Sequence, residues 1–271
     1  MTNIRNLLTK VQESKPLVHH ITNYVTVTDC ANITLGIGAS PVMADSVYEV
    51  ADIAGIASAV VINIGTLNER TVESMLVAGK AANARGIPVV FDPVGAGASK
   101  YRNETTAKLL KEIKIDVLRG NISEIRFIAG LSSETKGVDA ADNDRTDIEN
   151  AGQIAKNLSQ KLGCVVSISG AIDIISNGDK IAYVDNGHTM LGNLTGTGCM
   201  CSSLVGSFCG ANKDNVYESA IITQLCMGIA GEIAYEKAGS LGNGSFHEAL
   251  HDSISLMNSE TIEKRAKYRE E

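Results

Sequence analysis

The octapeptide Asn193-Leu194-Thr195-Gly196-Thr197-Gly198-Cys199-Met200 carries the strongest chemical signal in the chain, because it runs directly into an apolar segment that reads as a helix. Gly196 and Gly198 let backbone approach a ligand closely, and the first N–H groups of a helix have no internal partner. Together with the helix dipole they form an anion site. The same residues also read as a glycine-rich turn with Thr197 as N-cap. Familiar phosphate loops are missing: no G-x-x-x-x-G-K-[ST] occurs, and after Gly36-Ile37-Gly38 a proline, Pro41, stands where the third glycine of a dinucleotide fingerprint belongs. A nucleotide would have to bind in another way.

A second constellation is Asp92, Asn121 and Glu124, each on or just after a strand candidate. A hard cation such as Mg²⁺ takes carboxylate and water oxygens and bridges to substrate phosphates, so two acids beside an anion site suit it. Alternatively, Asp92 caps a turn before Pro93 and Glu124 occupies the first turn of a helix. His247-Glu248-Ala249-Leu250-His251 matches the H-E-x-x-H zinc pattern. Phe246, Leu250, Ile254 and Met257 form a core stripe on that helix, however, and no third ligand follows downstream, which favours a polar helix face. Cys199 and Cys201 would point about 200° apart on a helix, so only Cys199 can face the anion site. His19 and His20 offer general-base chemistry or simply hydrogen-bonded imidazoles at a strand end. Asn23, Asn32 and Met43 belong to an early segment whose glycine-rich, apolar tail, Gly36 to Asp45, could wall a small organic substrate.

These residues must be positioned by an α/β scaffold. β-Branched runs at Ala59–Ile64, Ile87–Phe91, Ile115–Leu118 and Cys164–Ser169 alternate with helical stretches at Asn68–Arg85, Asn103–Lys114 and Thr146–Leu162, with a shorter one at Ser123–Ala129. That rhythm predicts a mostly parallel central sheet with helices on both faces. Ile172–Ile175 and Ile181–Val184 read as an antiparallel hairpin across Asn177-Gly178. Helices are expected at Cys199–Cys209, Asn215–Ala238 and Ser245–Met257, and a surface loop within Ser132–Asn150. In open sheets of this kind ligands bind beyond the carboxyl ends of the strands, which is where Asp92, Asn121 and Ser169-Gly170 fall.

Composition narrows the field. The chain of 271 residues, 44% of them apolar, is long enough for one large α/β domain, and we expect a single domain over residues 1–271. A net charge of −7 and the absence of Trp argue against nucleic acid as a partner. No apolar stretch approaches the roughly 20 residues a membrane span needs. The N-terminal residues lack a continuous apolar core, and six cysteines without a secretory signal read as reduced thiols, so a soluble cytoplasmic protein is expected.

Taken in order, His20-x-x-Asn23, Pro41-x-Met43-Ala44, Asp92-Pro93-Val94-Gly95, Arg119-Gly120-Asn121-x-x-Glu124, Ser169-Gly170 and Gly196-Thr197-Gly198-Cys199 resemble the hydroxyethylthiazole kinase family over essentially the whole chain. The resemblance implies a ribokinase-like α/β domain that uses ATP and Mg²⁺ to phosphorylate the hydroxyl of 4-methyl-5-(2-hydroxyethyl)thiazole in thiamine salvage. It puts Met43 and Gly196 against the thiazole with Asn23 nearby, Arg119 and Ser169 on ATP, and Asp92 and Glu124 near Mg²⁺ and phosphate. Ser169 departs from the family's usual Thr but keeps the hydroxyl. Gly196, Thr197, Gly198 and Cys199 fit the superfamily's anion hole, where most sugar and pyrimidine kinases have Asp in place of Cys199. A homotrimer with substrate sites at subunit interfaces is also implied.

Phosphoryl transfer passes through a loose transition state, so a strong base is dispensable and a thiol can stand at Cys199. A helix N-terminus is expected to lower its pKa, allowing a thiolate to take the proton late. The competing readings are another ribokinase-like enzyme such as a hydroxymethylpyrimidine kinase, a cysteine-nucleophile hydrolase, and a nucleotide sensor without turnover.

Overall fold

The computed structural model describes residues 2–131 and 145–271. Nine strands form one sheet in the order β2-β1-β3-β4-β5-β6-β7-β8-β9: β1 (Leu17–Ile21), β2 (Ser40–Met43), β3 (Ala59–Asn63), β4 (Val89–Asp92), β5 (Val117–Asn121), β6 (Val165–Ser169), β7 (Asp173–Ser176), β8 (Ile181–Val184) and β9 (Tyr268–Glu270). The first six run parallel and the last three are antiparallel. Strand β3 is buried along its entire length, as a parallel strand covered on both faces must be.

Alternation along the strands divides the core in two. Val61, Val90 and Val117 point to a layer built on α1 (Thr2–Ser14), α2 (Val27–Gly36), α8 (Thr197–Ala211), α9 (Val216–Ala238) and α10 (Asn243–Ser255). Val60, Ile62, Val89, Phe91 and Leu118 point to the opposite layer, with α3 (Val50–Ile56), α4 (Glu69–Ala84), α5 (Lys100–Glu112), α6 (Ile122–Ile128) and α7 (Arg145–Leu162). A last helix, α11 (Ser259–Arg265), leads into β9. The expected sheet with helices on both faces is therefore what the chain forms. Helix α9 is buried through its middle, which makes its apolar surface core.

Local chemistry sets the helix starts that matter for function. Asn68 and Thr71 close a capping box on α4, and Asn121 with Glu124 closes one on α6. Helix α8 packs flat on the sheet because Gly206 has no β-carbon; one there would collide with Val61 and Val18. That contact aims its N-terminus at the carboxyl ends of β3 and β4.

Several boundaries differ from expectation. Strand β5 reaches Asn121 instead of ending at Leu118, so Arg119 and Gly120 are strand residues that pair with Ser167 and Ile168. The charged Arg119 interrupts the apolar run by which a strand is recognised. Helix α8 begins at Thr197, two residues early, with Gly196 as its cap. The short strands β1 and β2 were masked by their histidines, proline and glycine-rich flanks. Of the expected Ser132–Asn150 loop, residues 132–144 lie outside the described residues, and Arg145–Asn150 belong to α7.

Candidate active site

The carboxyl ends of β3, β4, β5 and β6 meet the N-terminus of α8. Asn63 and Asp92, the last residues of their strands, stand side by side in the sheet register. The Asn63 side chain donates to Asp92 Oδ2 at 3.0 Å, and Ser202, on α8, donates to the same oxygen at 2.7 Å. From the loop after β1, Asn23 donates to Asn63 Oδ1 at 3.0 Å. Both carboxamides also reach the Cys199 sulfur, Asn23 Nδ2 at 3.2 Å and Asn63 Nδ2 at 3.3 Å. Asn23 Oδ1 accepts the N–H groups of Val25 and Thr26, which fixes the turn into α2.

No side chain caps α8. Gly196 takes the left-handed conformation, φ +89°, and a β-carbon there would stand 2.5 Å from Thr26 Cγ2. The first intrahelical bond is Met200 N–H to Gly196 O at 2.8 Å. Thr197 is the first helical residue, not the cap, and its hydroxyl turns back to Leu191 O. The N–H groups of Thr197, Gly198 and Cys199 thus precede the first helical bond and have no partner within the helix. Arg119 lies over them: a β-carbon on Gly198 would be 2.6 Å from its Nη1. Its guanidinium is 3.9 Å from Asp92 Oδ2, and its buried Nε has no hydrogen-bond partner among the described residues. A buried guanidinium nitrogen without an acceptor beside an uncapped helix start is arranged for an anion.

Glu124 is held on both oxygens, accepting Gly95 N–H and Asn121 N–H, each at 2.8 Å. Burial pushes the carboxyls of Asp92 and Glu124 upward, and Asp92 pushes Glu124 further in the same direction. Both buried acids feel the positive charge of Arg119, which works against that rise. That donor set fits Mg²⁺, which keeps several waters and is reached by carboxylates directly or through those waters. Ser169 ends β6 opposite Asn121, and its hydroxyl is 3.5 Å from Gly120 O. Met43 ends β2 opposite His20 and is partly exposed, and Tyr24, Val25 and Tyr48 are exposed as well.

Burial also raises the Cys199 thiol, with Asp92 adding to it. The expectation was a thiol lowered by the helix end; here burial and the Asp92 carboxylate disfavour the thiolate and raise it instead. Cys201 points the other way, to Gln224, as helical geometry requires. His19 and His20 are spent on Ala44 O and Val18 O, and burial takes His20 down to about 4. They are neutral structural imidazoles.

Sequence reasoning missed Ser202, Arg102 and Asp173 as parts of this site, and gave Asn63, read at the ligand end of its strand, no role. Arg102 ties the loop after β4 to that after β3, donating to Val94 O, Ile64 O and Gly65 O. Asp173, at the start of β7, accepts Gly170 N–H, and burial pushes it up to about 7. Asn63 had one readable signal: it ends a strand just as Asp92 does.

A mostly parallel sheet with helices on both faces, laid out in this way, has the ribokinase-like fold. A ribokinase-like superfamily protein from Enterococcus faecalis, 10% identical, superposes with a TM-score of 0.63 over 93% of this chain and 89% of its own, which speaks for the fold alone. The chain belongs to the hydroxyethylthiazole kinase family, whose model matches residues 8–260. The hydroxyethylthiazole kinase of Clostridium beijerinckii is 60% identical over 268 residues, covering 98% of this chain and 97% of that protein. The structure of the hydroxyethylthiazole kinase protein of Pyrococcus horikoshii, 38% identical, superposes with a TM-score of 0.90 over 100% of this chain and 99% of its own.

Proposed function

We propose that this kinase transfers the γ-phosphoryl group of ATP to the hydroxyl of 4-methyl-5-(2-hydroxyethyl)thiazole. The uncapped start of α8 under Arg119 is the observation that carries the reading. Three N–H groups and a guanidinium converge where negative charge would gather on a transferring phosphoryl. Arg119 and Ser169 hold the nucleotide. Met43, Asn23 and the side-chain-free surface of Gly196 receive the thiazole.

A bound Mg²⁺ would supply positive charge against the nucleotide phosphates. Asp92 and Glu124 would hold it, with Asn63 and Ser202 fixing the Asp92 carboxylate. Cys199 is a neutral thiol at rest, and its sulfur faces two carboxamide donors. Because transfer is loose, the acceptor hydroxyl keeps its proton until late. The hydroxyl proton then leaves to an oxygen of the transferred phosphoryl group, while the neutral thiol, its sulfur held by Asn23 and Asn63, orients the acceptor, so Cys199 assists without being indispensable.

We further propose a homotrimer with substrate sites at the subunit interfaces, a reading that the exposed large apolar side chains of Tyr24, Val25, Met43 and Tyr48 support. The six free cysteines fit the reducing cytoplasm. Purified protein with ATP and Mg²⁺ should release ADP faster when hydroxyethylthiazole is added. No stimulation by the thiazole, with turnover of hydroxymethylpyrimidine instead, would reassign the enzyme to the runner-up activity.

A further inference from the structure

The H-E-x-x-H segment finds its third ligand far upstream. His247 and His251, one turn apart on α10, face α2, and Asp29 in the first turn of α2 projects between them. His247 Nε2 is 3.1 Å and His251 Nε2 is 3.7 Å from the same oxygen, Asp29 Oδ1. One ligand atom from each residue can be chosen so that all three lie within 4.8 Å of one another. We propose that Asp29, His247 and His251 bind a borderline transition-metal dication of the Zn²⁺ class, clamping α2 to α10.

The donor chemistry points to that class. Two imidazoles and a carboxylate suit Zn²⁺ and its neighbours, whereas Mg²⁺ prefers oxygens alone. Tetrahedral bonds of about 2.0–2.1 Å place ligand atoms about 3.4 Å apart, between the 3.1 and 3.7 Å that separate the two imidazoles from Asp29 Oδ1. An ordinary imidazole–carboxylate pair accounts for His247 but leaves His251 over. Its Nε2 is buried without a hydrogen-bond partner among the described residues, because 3.7 Å to Asp29 is too long for one. A shared cation would satisfy all three groups. The cleft they line also contains Asn32, Glu248 and Asp252, with room for a water as fourth ligand.

The position gives the site a structural role. Asp29 Oδ2 lies 3.8 Å from where a β-carbon of Gly196 would be, so the clamp stands directly behind the wall of the kinase site. Its ligands are separate from Asp92, Glu124 and Arg119. The inference rests on these three side chains and does not depend on which alcohol is phosphorylated.

The test uses the full chain stripped with a chelator and titrated with Co²⁺, a coloured stand-in for Zn²⁺. The expected result is one Co²⁺ per chain with the visible bands of nitrogen and oxygen ligation, no thiolate charge-transfer band, and displacement by Zn²⁺. His251→Ala and Asp29→Asn should each weaken binding by at least about tenfold. Zn²⁺, but not Mg²⁺, should raise the Tm of the wild type and leave that of His251→Gln unchanged. Absence of stoichiometric binding, binding indifferent to these substitutions, or a thiolate band that reports a cysteine site would each overturn the proposal.

Discussion

The guanidinium of Arg119 rests directly on Gly198, so near that a β-carbon would stand 2.6 Å from Nη1. Gly198 is an ordinary helical residue, and the conflicting atom is the tip of a flexible side chain. Gly198→Ala should therefore fold normally and displace the guanidinium from the helix start. The expected outcome is a fall in kcat of about ten- to a hundredfold, the scale of losing one charge-stabilising donor, with Tm within a few degrees of wild type. Steady-state kinetics beside a melting curve would check it; an unchanged kcat would detach Arg119 from the transfer step.

Gly196→Ala should fail differently. Its φ of +89° is costly for any side chain, and the new methyl would meet Thr26 Cγ2 at 2.5 Å. Stability should drop by about 1–3 kcal/mol, measured by denaturant unfolding, and activity should fall with it. The paired variant Gly196→Ala with Thr26→Ser removes the obstructing methyl and should recover part of the loss; no recovery would mean that the backbone conformation accounts for all of it.

Cys199→Ala should slow turnover by about ten- to a hundredfold without abolishing it, the scale of losing a group that positions the acceptor hydroxyl. Because burial and Asp92 hold the thiol above its ordinary value, it stays protonated through neutral pH. The kcat–pH profiles of wild type and Cys199→Ala should therefore run parallel between about pH 6 and 8. A wild-type inflection in that range, absent from the variant, would show an ionised thiol at work.

Asp173 carries a pH signature in stability. Its carboxyl is raised from 3.8 to about 7 by burial, so the folded chain holds a proton that the unfolded chain releases. The sign follows: this group's contribution falls as pH rises from about 4 through 7. Asp173→Asn keeps an oxygen for Gly170 N–H and removes the charge. It should be more stable than wild type by about 1–2 kcal/mol at pH 8, after allowance for solvent screening, and no more stable at pH 4. Urea unfolding at both values would decide; equal gains at both would assign the effect to something other than titration.

What the sequence reveals follows the range over which each signal acts. Strands β3, β4 and β6 were legible because both faces of each are buried and their sequences are rich in β-branched residues. Glu124 was legible as a residue of a helix first turn, and in the structure it closes a capping box with Asn121. Long-range partnerships were not legible. The Asn23–Asn63–Cys199 triangle joins residues from three separate parts of the chain, and Asp29 stands far from the two histidines it meets. The Cys199 thiol went the wrong way because the helix dipole is a local feature, whereas burial beside Asp92 exists only once α8 is laid on the sheet.

The central claim is that the phosphoryl group moves from ATP to the thiazole's hydroxyl at the α8 N-terminus. Its most direct test is product analysis by phosphorus NMR and mass spectrometry with ATP, Mg²⁺ and hydroxyethylthiazole. The account predicts one hydroxyethylthiazole phosphate formed for each ADP, and both falling together in Gly198→Ala. ADP appearing without the phosphate ester would contradict it.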